Sequence, residues 1–212
     1  MTILLCVTFI ANLVCMKIMG GTLVLSFLLL CGCVDSAYVK KIRNHRRTVY
    51  AEFFNPDTSP LKEKDRKNFS GLNYYEITDK LFIAAHFKRT PGEKPFEMVT
   101  SGEKRPVYVK YGEINFELEG KKLTLHSFQN QKNSDYLFVP FTDLTTGDET
   151  YGGGRFLELA IPEDDKIELD FNLAFNPYCV YNDGYSCPIP PPENFLDVKI
   201  LAGEKKFSDD EH

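Results

Sequence analysis

The chain has 212 residues, with 25 Lys and Arg against 30 Asp and Glu and a formal net charge of −5. Lys17 is the only charge among the first 33 residues, so the remaining 179 carry a net −6, which argues against nucleic acid because phosphates demand a basic face. That remainder is long enough for one domain with a core, and an apolar fraction of 43% excludes general disorder.

Residues 1–33 read as an address. Met16-Lys17 makes a basic start, Ile18 to Leu30 is apolar, and Leu30-Cys31-Gly32-Cys33 follows. This resembles a bacterial lipoprotein signal peptide with its Leu-x-Gly-Cys lipobox. The resemblance implies cleavage before Cys33 and lipidation of that cysteine, with palmitate among the acyl groups. Two or more chains anchor a protein stably where one holds it only marginally. A cell-envelope location facing the periplasm or exterior is then expected, with the membrane as a partner through Cys33. The competing reading is an uncleaved helix, because Ile3 to Leu30 exceeds the roughly 20 residues that cross a bilayer. Lys17 and the glycines interrupt that span. Ile3 to Cys15 lacks a charged n-region of its own, so a true start at Met16 is expected.

After a short tether, Tyr38 to Phe53 spaces Val39, Ile42, Val49 and Phe53 as one face of an amphipathic helix. Asn55-Pro56-Asp57 ends it. Ser59-Pro60 opens a second helix expected to run through Phe69 to Gly71, since Ser caps well and Pro suits the first helical position. From Tyr74 the period becomes two. Strands are expected at Leu81–Phe87, Phe96–Thr100, Val107–Tyr111, Glu113–Leu118, Lys122–Ser127, Tyr136–Phe141, Phe156–Ile161, Lys166–Phe171 and Phe195–Leu201. Gly112, Gly120 and Asp164-Asp165 are the expected turns, the last closing a hairpin. Segments of this length and spacing predict a mainly β (α+β) fold, an antiparallel β-sandwich or partly open barrel preceded by helices. The domain is expected over 34–205, with a charged tail that frays over 206–212.

Several motifs follow one another in order: Phe138-Val139-Pro140-Phe141-x-Asp143-x-Thr145-x-Gly147, Tyr151-Gly152-Gly153-Gly154-Arg155-Phe156, Asp170-Phe171-Asn172-x-Ala174-x-Asn176-Pro177-Tyr178-Cys179, Cys187-Pro188, Pro191-Pro192-Glu193-Asn194 and Ala202-Gly203-Glu204-Lys205. With Ser59-Pro60-Leu61 and Phe69-x-Gly71-Leu72, this set resembles the bacterial and archaeal family catalogued as domain of unknown function 1684. The resemblance spans about Tyr38 to Lys205 and implies no particular activity.

Three constellations carry chemistry. Cys179 and Cys187 enclose seven residues; in an oxidising compartment they are expected to form a disulfide, which would stabilise the fold by roughly 3 kcal/mol through loop closure. The alternatives are a thiolate metal site, which lacks nearby histidine, a nucleophilic cysteine with His86 or His126 as base, or two free thiols. Gly152-Gly153-Gly154-Arg155 is either a tight turn with positive-φ glycines or a backbone nest beside a guanidinium that would hold an anion. Asp170, Asn172 and Asn176 share one side of an expected strand and either cap loop backbone or form a polar site. The stiff proline run brings Glu193 and Asn194 toward the same end.

The candidate ligand-binding residues are therefore Arg155, Asp170, Asn172, Asn176, Glu193 and Asn194. Lipidation is assigned to Cys33, and a metal and a cofactor are not expected, because no phosphate-binding fingerprint or metal-ligand spacing is present. The expected function is a lipid-anchored envelope protein that binds a small ligand, anionic if the glycine-arginine turn receives it. The alternative is a hydrolase-type enzyme built on Arg155, Asp170 and Glu193 in one pocket.

Overall fold

A computed structural model describes residues 36–207. The expected signal, Cys33 with it, lies outside the described residues, as does the tail from residue 208. No helix among the described residues is long and apolar enough to cross a membrane.

The first helix, α1, spans Ser36–Phe54 and buries Ile42 and Phe53, the spacing that the apolar pattern requires. Its outer face carries Lys40, Lys41, Arg43 and Arg47. The second helix is far shorter than expected: α2 is only Glu63–Arg66. Four charged residues offer no apolar face to pack, and most helical stability in proteins comes from packing. Ser59 caps no helix; its hydroxyl accepts from the Leu61 amide and donates to the Phe53 carbonyl. The chain bends so that Leu61 and Phe69 join Phe53 and Tyr181 in one buried cluster.

The rest is one curled sheet with the character of a half-barrel, mainly antiparallel. Its strands are β1 (Phe82–Arg89), β2 (Phe96–Glu97), β3 (Val107–Leu118), β4 (Lys121–Asn130), β5 (Leu137–Asp143), β6 (Arg155–Leu159), β7 (Lys166–Asp170) and β8 (Phe195–Leu196). The main path runs β6-β5-β4-β3-β1-β7, with β2 on β3 and β8 parallel on β5. Gly112 is not a turn. The two strands expected around it are one, and the register against β4 shifts between Lys110 and Gly112. A Cβ at Gly112 would lie 2.4 Å from the Phe87 ring, so glycine there lets the two strands close over that ring. Glu119-Gly120 does turn, with φ of 53° and 74°, the conformation of a two-residue hairpin.

The expected hairpin across Asp164-Asp165 does not form. β6 pairs with β5 and β7 with β1, at opposite edges of the sheet. The Asp165 carbonyl instead receives the Phe87 amide at 2.8 Å, beginning the β1–β7 ladder. The curl brings those edges back together. Five residues past β7, Phe175 exchanges both backbone hydrogen bonds with Phe156 of β6, at 2.9 and 3.0 Å.

Inside the curl lie Ile114, Leu125, Val139, Phe141, Leu157, Leu169 and Phe171, among others. Each fully buried side chain of this size contributes about 2 kcal/mol by leaving water. Outside it, Met98, Tyr108, Phe128, Phe138 and Phe156 form a second cluster. β5 is thus covered on both faces, which explains its unbroken apolar run. The domain also extends past its expected end at 205: the Lys206 amide bonds the Glu149 carbonyl at 3.1 Å, and Phe207 packs with Phe69 and Tyr181.

Candidate functional site

Arg155 opens β6 and Asp170 closes β7. The strands alternate in direction along the sheet, so both residues lie at the same end of the sheet, but each belongs to its own hydrogen-bond cluster. Arg155 is 1% exposed. Its Nη2 donates to Asp143 Oδ2 at 2.7 Å and to the Ile200 carbonyl at 2.9 Å, and its Nη1 to the carbonyls of Ala202 and Glu204. One guanidinium thus ties β5, β6 and the 200–204 segment together. Asp143 in turn accepts from the amide and hydroxyl of Thr145, both at 2.6 Å. Gly152 and Gly153 are exposed turn residues, and Gly154 takes φ 82°. A Cβ at Gly154 would sit 2.5 Å from the Phe141 carbonyl, so this glycine serves close passage against β5.

The Asp170–Asn172–Asn176 strand does not exist past Asp170. A 3₁₀ turn spans Phe171–Leu173, capped by the Asp170 carboxylate, which accepts from the Asn172 amide at 3.0 Å. Asp170 also accepts from Tyr38 of α1 at 2.8 Å. The Asn172 side chain accepts from the Thr78 amide and donates to the Thr78 carbonyl, at 3.0 and 2.7 Å. This is loop capping, one of the two readings open from the sequence.

Asn194 fills a different gap. β4 and β5 touch in register only at Phe128 and Phe138, and Pro140 has no N–H to offer β4. The Asn194 amide takes the place of a strand there. It accepts from the His126 N–H at 2.7 Å and donates to the His126 carbonyl at 2.9 Å and the Pro140 carbonyl at 2.7 Å. Its neighbour Glu193 is exposed. Arg155, Asp170 and Glu193 therefore share no pocket.

A cleft of about 430 Å³ does lie nearby, between α1, the outer face of β5 and β6, and the 172–188 loops. Phe53, Phe138, Phe156 and Phe175 make its walls, and of the expected residues only Asn172 and Asn176 line it. Its ionisable lining is Glu52, Glu158 and Glu204 with His45, Tyr74, Tyr178, Tyr185 and Cys187; among the described residues no Lys or Arg lines it, although Arg46 stacks behind it on the Tyr74 ring at 4.2 Å.

Glu204 and Asn176 form the polar floor. Glu204 is 3% exposed; its Oε2 accepts from Tyr181 at 2.6 Å and from the Asn176 amide at 2.9 Å. Burial outweighs these bonds and pushes its carboxyl up to about 7. Asn176 is 2% exposed. Its Nδ2 donates to the Lys205 carbonyl at 2.9 Å, while its Oδ1 accepts no hydrogen bond among the described residues. Sequence reading passed over Glu204, seen only as part of a motif. An acidic residue between Gly203 and two lysines carries no local sign of burial.

The expected Cys179–Cys187 disulfide is not formed; both are thiols. They are nonetheless neighbours, for the Cys179 amide donates to Cys187 Sγ at 3.1 Å. No group of metal-binding side chains occurs among the described residues. His86 is exposed and lies 3.6 Å from Asp165, and neither His86 nor His126 lines the cleft.

The family model described as "Protein of unknown function (DUF1684)" matches residues 67–205. Among solved structures, the chain is similar to the solution NMR structure of an uncharacterized protein from Haloarcula marismortui. The two are 34% identical with a TM-score of 0.66, over 83% of this chain and 97% of that one. No curated protein matches.

Proposed function

From the premise that the chain belongs to the protein family of unknown function DUF1684, we propose that it is a lipid-anchored binding protein. Its ligand is a small, largely apolar molecule that presents a hydrogen-bond donor, neutral or cationic. The observation that carries this reading is the lining of the cleft: aromatic walls, three carboxyl groups and no Lys or Arg. Ligand sites are concave and mostly apolar, with a few placed polar groups. Here the carboxyl groups and the Asn176 side-chain oxygen offer acceptors, beside the hydroxyls of Tyr74, Tyr178, Tyr185 and Ser186. Asn176 lines the cleft and its Oδ1 is buried without a donor among the described residues, a state that costs roughly 1–3 kcal/mol and that a ligand donor reaching it would relieve.

An anionic ligand at Arg155 has no such support. That guanidinium is enclosed and already bonds Asp143 and three carbonyls, and an anion in the cleft would meet like charge. The anchor rests on Leu30-Cys31-Gly32-Cys33.

Three probes with one ring system test the reading: naphthylmethylamine, naphthylmethanol and naphthoate, each followed by thermal shift and calorimetry. The amine and the alcohol should bind and raise the melting temperature, and Asn176→Ala should weaken both about tenfold or more. Binding of naphthoate alone, or of none of the three, would overturn the proposal.

A further inference from the structure

We propose that Cys179 and Cys187 are a reversible dithiol–disulfide couple at the rim of the cleft, with Cys179 the attacking sulfur and Cys187 the resolving one. Their placement differs in the way such roles require. Cys187 is buried and lines the cleft. It is clamped from behind: its amide donates to the Ser101 hydroxyl at 3.1 Å, its carbonyl accepts from the Ser101 amide at 2.9 Å, and Ser186 and Thr100 share a hydrogen bond of 2.6 Å. Cys179 is half-buried, on a 3₁₀ turn at Tyr178–Val180. The 3.1 Å hydrogen bond from its amide to Cys187 Sγ brings the second sulfur to the first residue's backbone, and the Tyr151 hydroxyl lies 4.0 Å from Cys179 Sγ.

The electrostatics agree with this division. Cys187 as a donor, with help from Tyr151 and Ser101, pulls the Cys179 thiol down to about 6, whereas its tie to Cys179 and burial push the Cys187 thiol up. A thiolate is the form that attacks, and an attacking thiol works best with a pKa near the ambient pH.

The co-reactant is a small-molecule disulfide, R–S–S–R. Cys179 thiolate attacks one sulfur, forms a mixed disulfide and releases RS⁻. The Cys187 thiol gives its proton to that thiolate and attacks Cys179 Sγ, releasing the second RS⁻, which takes a proton from solvent. Two protein thiols are oxidised by two electrons, and one external disulfide is reduced to two thiols. The bond closes the loop whose ends carry Tyr178 and Tyr185. Those rings already meet edge to face at 5.3 Å and both line the cleft.

The test uses the full-length protein equilibrated in glutathione buffers of stepped redox ratio, quenched by alkylation and mapped by peptide mass spectrometry. Cys179 and Cys187 should lose alkylation together, and reductant should restore both. Cys187→Ser should trap one glutathione on Cys179, while Cys179→Ser should leave Cys187 without an adduct. Two cysteines that stay alkylated in excess glutathione disulfide would overturn the couple, and an adduct trapped on Cys187 would overturn the assignment of roles.

Discussion

Arg155 shows how much a single side chain can hold. Four acceptors from two segments, β5 and residues 200–204, converge on one buried guanidinium, so Arg155→Ala leaves Asp143 without its partner and several carbonyls unsatisfied. Breaking a buried pair of this kind costs about 3–5 kcal/mol, and denaturant unfolding should show that loss. Arg155→Lys should recover little, since one ammonium cannot reproduce the planar fork. An unchanged unfolding midpoint for Arg155→Ala would refute the clamp. Glu204 makes a pH-dependent contribution of definite sign. Burial raises its carboxyl to about 7 in the fold, from 4.5 for a free glutamate side chain, so the fold prefers the protonated form. The stabilisation is complete below pH 4.5, declines as pH rises, and is gone above 7, a change of about 3 kcal/mol. Melting temperatures from pH 5 to 8 should fall in the wild type and stay flatter in Glu204→Gln; a rise across that range would contradict the assignment.

At the level of elements, the weak point of the sheet is the gap between β4 and β5. Pro140 interrupts the ladder, and the Asn194 amide restores it with three hydrogen bonds to His126 and Pro140. Asn194→Ala would strand three backbone groups in the interior and should lower stability by about 3 kcal/mol or more. Hydrogen exchange offers a sharper check, because the His126 amide should lose protection in the variant. Equal protection in both would show that β4 and β5 hold without the plug. The 3₁₀ turn after β7 works in a similar way. Asp170 caps it and Asn172 pins Thr78, which fixes where Asn176 enters the cleft.

At the scale of the whole molecule, the proposed attachment to a membrane rests on Cys33. The helix α1 starts at Ser36, three residues after the expected lipidated cysteine, and its five Lys and Arg face one acidic residue, Glu52. Cys33→Ser should leave the protein in the soluble fraction or unprocessed, measured by fractionation and palmitate labelling. A variant that still labels and still pellets with membranes would exclude lipidation at Cys33.

What was legible in the sequence was what local chemistry controls. The spacing of Ile42, Val49 and Phe53 defined α1, period-two alternation defined most strands, and Glu119-Gly120 defined its hairpin. Composition and motif order pointed to a mainly β member of the family. The partners of those elements were not legible. Asp164-Asp165 reads as a hairpin because neighbouring strands usually pair, yet β7 joined β1, where Ile167 and Leu169 reach the same core as Ala85 and Phe87. Arg155 and Asp170 read as site residues because charge in a glycine- and asparagine-rich stretch is unexpected. The fold buried both, one against Asp143 and the other against Tyr38. The cleft itself joins α1, β5, β6 and the segment that ends at Glu204, parts of the chain up to about 160 residues apart. A sequence sets which residues can be buried and how each segment turns; which distant groups then share a low-dielectric site is decided only when the sheet curls and its edges meet.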